Sequence, residues 1–327
     1  LLNAAQANRI LFVTSSQQEG RRLERALSKV APNRKVIRID SQTNQQGVFR
    51  SFFETPDDWL KQNNPDVLIL SPSAKSGISI EGKTAIEDAY FTSVWAYFQG
   101  LATDTHMQLL GRYRPAVDRF IFVPHFISSS GDESLMNPRS IKRRLSTNMK
   151  SLSGVYELNE LLEAEDDRAE TIVRIETAVL DYHAAARTVA GAQKSIANDA
   201  LVMQLEAAGH LVQCEKLALD RDIAKLWKDI QDELWQEDAK TIAMLAIEPE
   251  HDLKWAKDVR ESLDASLETR IRAQKVLWRD EFPGVDFDDE EECYQALCLD
   301  YGAMRRGALL QARAENLEAT KISDRAM

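Results

Sequence analysis

Three short apolar runs constrain the fold of this chain more than any other feature. Val67–Leu70, residues 91–98 and residues 120–123 are rich in β-branched and aromatic side chains and are bounded by Gly, Pro and Ser. Apolar runs of this length without strict alternation suit strands buried on both faces, as in a parallel sheet. Upstream, 9–14 (RILFVT) and 35–39 (KVIRI) read as two further strands. Behind the capping pair Ser15-Ser16, residues 17–30 carry Leu23, Ala26, Leu27 and Val30 on one helical face. Residues 49–63 read as a single helix with Phe52, Phe53, Trp59 and Leu60 turned inward. Strand, helix, strand, helix, strand is the order of a doubly wound parallel sheet, an α/β fold. Such sheets hold ligands at the carboxyl ends of their strands. Here those ends are Thr14-Ser15-Ser16, Asp40-Ser41 and Ser71-Pro72-Ser73.

Between the second and third apolar runs lies Gln108-Leu-Leu-Gly111-Arg112-Tyr-Arg114, read as a helix-like segment with paired arginines. Guanidinium is always charged and forks onto oxyanions, so arginines at a sheet's carboxyl edge suit phosphate. The charge distribution points the same way. Residues 1–150 hold 20 Lys+Arg against 14 Asp+Glu, net +6, whereas residues 151–327 hold 21 against 38, net −17. A polyanion is therefore expected on the first half.

SPSAKSGISI (71–80), FTSVWAYFQG (91–100) and QLLGRYR (108–114) resemble motifs V and VI and the stretch between them in superfamily 2 helicases. The variant is that of the herpesvirus origin-binding helicase and the cyanobacterial plasmid replication proteins. The resemblance covers roughly residues 9–124. It implies a RecA-like second lobe at 1–127, a basic linker at 128–154 and an acidic, all-α extension at 155–327. It further implies that Arg112 and Arg114 act as arginine fingers, Arg112 foremost, with Gln108 orienting phosphate or water. Gly77, Ser79 and Gly111 would lie against nucleotide, ATP with Mg being held mainly by a separate first lobe. Thr14, Ser15, Ser71 and Ser73 would hold the backbone of single-stranded DNA. The chain departs from the common motif V at Ser79, where aspartate is usual.

Gly77 to Thr84 also satisfies the Walker A spacing, with Gly82-Lys83-Thr84 at its end. A phosphate loop follows directly on a strand, whereas six residues separate Leu70 from Gly77, and Glu81 would bring negative charge to the phosphates. Lys83 and Thr84 are therefore read as loop surface. Past Pro124, Arg139, Lys142, Arg143, Arg144 and Lys150 form a basic patch read as either a solvated linker or a nucleic-acid contact.

The second half reads as almost continuously helical. Ile172, Ile175, Val179, Tyr182, Ala186 and Val189 form a narrow seam for a partner helix. Gly209-His210 ends that region, and helices follow at 217–246 and 251–279, the latter with Val259, Leu263, Leu267 and Ile271 on one stripe. The acidic run 286–292 lacks the central glycine of a calcium loop and reads as a helix start, with Cys293, Leu297 and Tyr301 inward.

With 327 residues, 44% of them hydrophobic, the chain is long enough for two domains. It has no apolar run of membrane-spanning length and only three cysteines, scattered, so a soluble, cytoplasmic protein without a zinc site or disulfide framework is expected. Cys293 and Cys298 read as helix-packing residues. The start at Leu1-Leu2 suggests a piece of something longer. Three functions compete: the second lobe of a plasmid-replication helicase, with a replication partner on the acidic helices; a helicase-like binding module without chemistry; and a self-contained P-loop ATPase.

Overall fold

The computed structural model describes residues 1–44, 48–72, 78–81, 89–127, 137–143, 166–215, 220–262, 265–282 and 284–298, with backbone only at 166–178 and 261. Five strands, β1 (Ile10–Thr14), β2 (Val36–Ile39), β3 (Val67–Leu70), β4 (Ser93–Tyr97) and β5 (Asp118–Phe122), form one sheet in the order β2-β3-β1-β4-β5. Every pairing is parallel. The fold is α/β, and each of the five strands falls on an apolar run of the sequence.

By contacts the chain divides into two compact units. The first comprises Leu1–Gly20, Asn33–Asp40 and Phe52–Lys216, and the second comprises Arg21–Pro32, Ser41–Ser51 and Leu217–Met327.

In the first unit, burial declines from the centre of the sheet toward its edge. β1 and β3 are buried at every position, β4 at three of five and β5 at none. The helices are α1 (Leu2–Ala7), the start of α2 (Gln17–Val30), the end of α3 (Arg50–Glu54), α4 (Pro56–Asn63), α5 (Thr103–Leu110), α6 (Asp166–Ser195) and α7 (Ala197–Ala207). Gly20, in the first turn of α2, packs against the sheet so closely that a Cβ there would meet Ile69 Cγ2 at 3.3 Å. The chain leaves the carboxyl end of β1 with β3 on one side and β4 on the other, which is the switch point where such sheets open a crevice.

Three expectations are corrected in this unit. The stretch 49–63 is two helices, because Pro56 occupies the first turn of α4 and disfavours helical backbone at Thr55. Phe52 nonetheless packs edge-on against both Phe53 and Trp59. Second, 108–114 is not one helical segment. α5 ends at Leu110, Gly111 and Arg112 form a turn, and from Tyr113 the backbone runs beside Ile80 in a parallel bridge. Third, Val179, Tyr182, Ala186 and Val189 of the expected seam face solvent, the side chains of Ile172 and Ile175 lie outside the described residues, and among the described side chains of α6 Ala184, Gly191 and Lys194 are buried.

The second unit is helical: the rest of α2, then α8 (Arg221–Met244), α9 (Leu253–Glu261), α10 (Leu267–Glu281) and α11 (Glu290–Cys298). α8 packs against α11, and α9 against α10. The basic side of α2 meets acidic residues of α8. Arg21 pairs with Asp238 at 2.8 Å, Arg25 with Glu237 at 2.7 Å, and Lys29 with Glu233. Part of the acidic charge is thus answered within the unit.

The stretch 251–279 is also two helices. Asp252 caps α9 by accepting from Trp255 N at 2.7 Å, and Ser266 caps α10 by accepting from Thr269 N at 3.1 Å. Leu263, expected on the stripe, lies outside the described residues, as does Tyr301. The acidic run starts α11 as expected, with Asp289 accepting from Glu292 N at 2.9 Å. Cys293 is buried, whereas Cys298 is exposed at the end of α11. Lys275 is fully buried, and its Nζ donates to the carbonyls of Ile242 (2.7 Å), Ala243 (3.1 Å) and Leu245 (2.9 Å). It thereby satisfies the last carbonyls of α8, and it pairs with Asp288 at 2.7 Å. Among the described residues no helix is long and apolar enough to cross a membrane.

Candidate anion-binding edge of the sheet

The parallel register places Val13 beside Leu70 and Thr14 beside Tyr97, so Ser71 continues level with Thr14, and Ser15 with Phe98. Chemistry at this edge depends on which polar groups local bonding has already used. Thr14 is fully buried, and its Oγ1 accepts from Ser16 N at 3.0 Å. Ser15 Oγ accepts from Gln99 N at 2.6 Å and donates its proton to Gln99 O, tying the ends of β1 and β4 together. Ser16 Oγ accepts from Glu19 N at 3.3 Å in the first turn of α2. The hydroxyl proton of Ser15 is therefore committed within the protein.

The arginine pair stands on the neighbouring segment. Ile80 N donates to Arg112 O at 2.7 Å and Arg114 N donates to Ile80 O at 3.0 Å, so 78–80 and 112–114 run side by side. In extended backbone, residues two apart share a side and the residue between them points the other way. Tyr113 accordingly turns into the core, where its hydroxyl accepts from Phe91 N at 2.8 Å and donates to Phe91 O at 3.0 Å. Its phenol is pushed up to about 12 by burial. Arg112 and Arg114 belong to the opposite side. A helix would have splayed them apart, and Gln108, exposed on α5, does not share a helical face with Arg112.

Arg112 is only 8% exposed, and its one polar contact is a long 3.4 Å approach of Nη1 to the carbonyl of Ser71. Among the described residues no carboxylate lies within ion-pair distance of it. Burial alone lowers its pKa from the ordinary arginine value. A buried cation without a counter-ion costs stability, and an incoming anion recovers that cost. Arg114 is exposed, and its Nε donates to Ser79 Oγ at 3.2 Å. Gly111 caps α5, its N–H bonding Met107 O at 2.9 Å, in ordinary right-handed backbone. A Cβ there would meet Met107 O at 3.3 Å, so the missing side chain lets the backbone approach closely.

Ser73, Gly77, Gly82-Lys83-Thr84, Arg144 and Lys150 lie outside the described residues. Of the basic patch, Arg139 and Arg143 are exposed, and Lys142 pairs with Asp181 of α6 at 2.6 Å.

Sequence reasoning missed four residues at this edge. Gln99 and Tyr113 are described above. Arg119, on β5, donates to the carbonyls of Tyr113 (3.0 Å), Val117 (3.2 Å) and Pro115 (3.4 Å), pinning the backbone that follows the arginine pair. His106, on α5, is fully buried and stacks on Phe98 at 4.3 Å, with no hydrogen-bond partner for either ring nitrogen. Burial first, and the charge of Lys194 second, bring its pKa down to about 4. The alternation Arg-Tyr-Arg was the available signal for Tyr113, since period two marks extended backbone. Nothing local marked the others. No protein-family profile and no curated protein matches the chain.

Proposed function

We propose that the sheet-bearing unit is the second RecA-like lobe of an ATP-driven DNA helicase of plasmid-replication type, and that Arg112 supplies positive charge to the phosphates of ATP. The observation that carries this reading is a buried arginine with no carboxylate partner among the described residues, at the carboxyl edge of a parallel sheet beside Ser71. A structural arginine with 8% exposure would normally be ion-paired. The resemblance of 71–80 and 108–114 to motifs V and VI names the anion, and the pairing of 78–80 with 112–114 gives the two motifs a reason to act together.

ATP with Mg would supply the phosphoryl group and be held mainly by a first lobe carrying its own P-loop. This chain contributes Arg112, held in the bridge, and Arg114, on the same side and tethered to Ser79. Tyr113 and Arg119 act through them by fixing the backbone. The acidic helices would face a replication partner.

The test compares Arg112→Met with the unaltered chain in two readouts. Stability by thermal melting should be kept or raised, since an uncompensated charge is removed. In the complete two-lobed enzyme, DNA-stimulated ATP hydrolysis should fall by about 10³ to 10⁵. A melting temperature that drops sharply while hydrolysis persists would overturn the reading.

A further inference from the structure

We propose that the exposed aromatic face of β4 and β5 is a stacking surface for the bases of single-stranded nucleic acid, which deepens the helicase reading and rests on it. The register pairs Trp95 with Phe120 and Tyr97 with Phe122 on one face of the sheet. The rings are stacked across the strands, at 4.3 Å and 21° for the first pair and 5.1 Å and 7° for the second. Phe120 is 46% exposed and Phe122 47%. β5 is the last strand, so no further strand among the described residues covers the outer faces of these two rings. A parallel sheet is ordinarily covered on both sides. On this face of β4 and β5 the four rings lie together, with the exposed Asp118 two residues before Phe120 at the amino end of the row.

The surface is continuous with the switch-point crevice. Beyond Tyr97, whose hydroxyl reaches Gln99 Oε1 at 3.3 Å, an open cleft of about 490 Å³ is lined by Ser15, Ser16, Gln99, Gly100, Pro124 and Phe126. None of these bears a charge, so nothing in the lining repels phosphate. Phe126, 67% exposed, stands at its rim. The hydroxyl proton of Ser15 is committed to Gln99, so affinity at this edge has to come from another source. The exposed rings supply it.

Spacing favours an unpaired strand over a duplex. Same-face positions two residues apart in a strand are about 6.6 Å apart, roughly twice the 3.4 Å between bases stacked within one duplex strand. The ranks at Phe120 and Phe122 therefore each accept one unstacked base, extending a ring stack already begun with Trp95 and Tyr97. Aromatic platforms of this kind bind without strong sequence preference, since every base presents a π-face.

The experiment titrates the full 327-residue chain against a fluorescent 15-mer of deoxythymidylate at several salt concentrations, alongside Phe120→Leu, Phe122→Leu, Phe126→Leu and the triple variant. Leucine keeps the apolar burial and removes the π-face, and Phe126 is exposed enough that its variant folds regardless. Each single variant should weaken binding about fivefold or more, and the triple on the order of a hundredfold. The slope of log affinity against log salt should not change, because no phosphate contact is removed. The proposal is overturned if the triple variant binds as the unaltered chain does. It is equally overturned if the unaltered chain binds no oligonucleotide and the triple variant only shifts its sedimentation, which would make the face a contact between copies of the chain. Arg112→Met should leave oligonucleotide affinity unchanged, so failure of this proposal and failure of the phosphate assignment are read separately.

Discussion

The hydroxyl of Tyr113 grips the backbone of Phe91 at two points, accepting from its N–H at 2.8 Å and donating to its carbonyl at 3.0 Å. The grip sits between two arginines in sequence and faces away from both. It anchors the extended segment 112–114 against the strand-bearing core, and it fixes which side of that segment the arginines occupy. Replacing Tyr113 by Phe removes the hydroxyl and leaves the Phe91 N–H and carbonyl buried without that partner. The expected cost is about 1–3 kcal/mol, measured by urea denaturation. If the proposed helicase reading holds, the same variant should impair hydrolysis in the two-lobed protein through loss of positioning. Tyr113→Phe with unchanged stability would show that the grip contributes nothing to the fold.

The chain alone should not hydrolyse ATP. In the proposed reading its arginine edge would supply charge to phosphate, while magnesium and the phosphate cradle would belong to a different lobe. Steady-state phosphate release with Mg and a single-stranded oligonucleotide checks this. Robust turnover abolished by Lys83→Ala would promote the self-contained ATPase instead.

His106 makes stability pH-dependent in a defined direction. Its pKa in the folded chain is about 4, below the ordinary histidine value of about 6.5, so the native state binds fewer protons than the unfolded chain. The stability it confers is fully present above about pH 6.5 and is lost as pH falls toward 4. Protonation would place a second buried cation near Lys194. The loss amounts to at most about 3 kcal/mol. Melting temperatures between pH 7 and 4 should fall more steeply for the unaltered chain than for His106→Phe, which keeps the stack on Phe98.

Lys275→Met should destabilise the helical unit by about 3 kcal/mol or more, because three terminal carbonyls of α8 lose a charged donor together with its partner Asp288. Lys275, and then Arg279, hold the Asp288 carboxyl below the usual range. That contribution is present above about pH 3.9 and is lost as pH falls through the lowered value. Circular dichroism of the variant across pH 7 to 3 separates the two effects. A variant that melts as the unaltered chain does would mean that water satisfies these carbonyls.

The order of the strands was legible in the sequence because each is a compact apolar run, whereas the breaks that split 49–63 and 251–279 into two helices each were not read. Val67–Leu70 has no polar position to confuse its period, and Gly209, at φ +87, closes α7 where the sequence placed a stop. The arginine pair was legible as residues, and its likeness to a helicase motif suggested a role. What the sequence alone could not decide was the backbone carrying that pair. Local propensity favours continuing α5 through Arg112, and only the parallel bridge to Ile80, with the long-range grip of Tyr113 on Phe91, draws the chain into extended geometry. The same holds for the charges. Sequence counts the arginines, but tertiary contacts determine that Arg21 and Arg25 are answered by α8 whereas Arg112 has a lone carbonyl. The exposure of Phe120 and Phe122 likewise follows from the position of β5 at the sheet's edge, since an apolar run in sequence has no record of which of its faces a neighbour will cover.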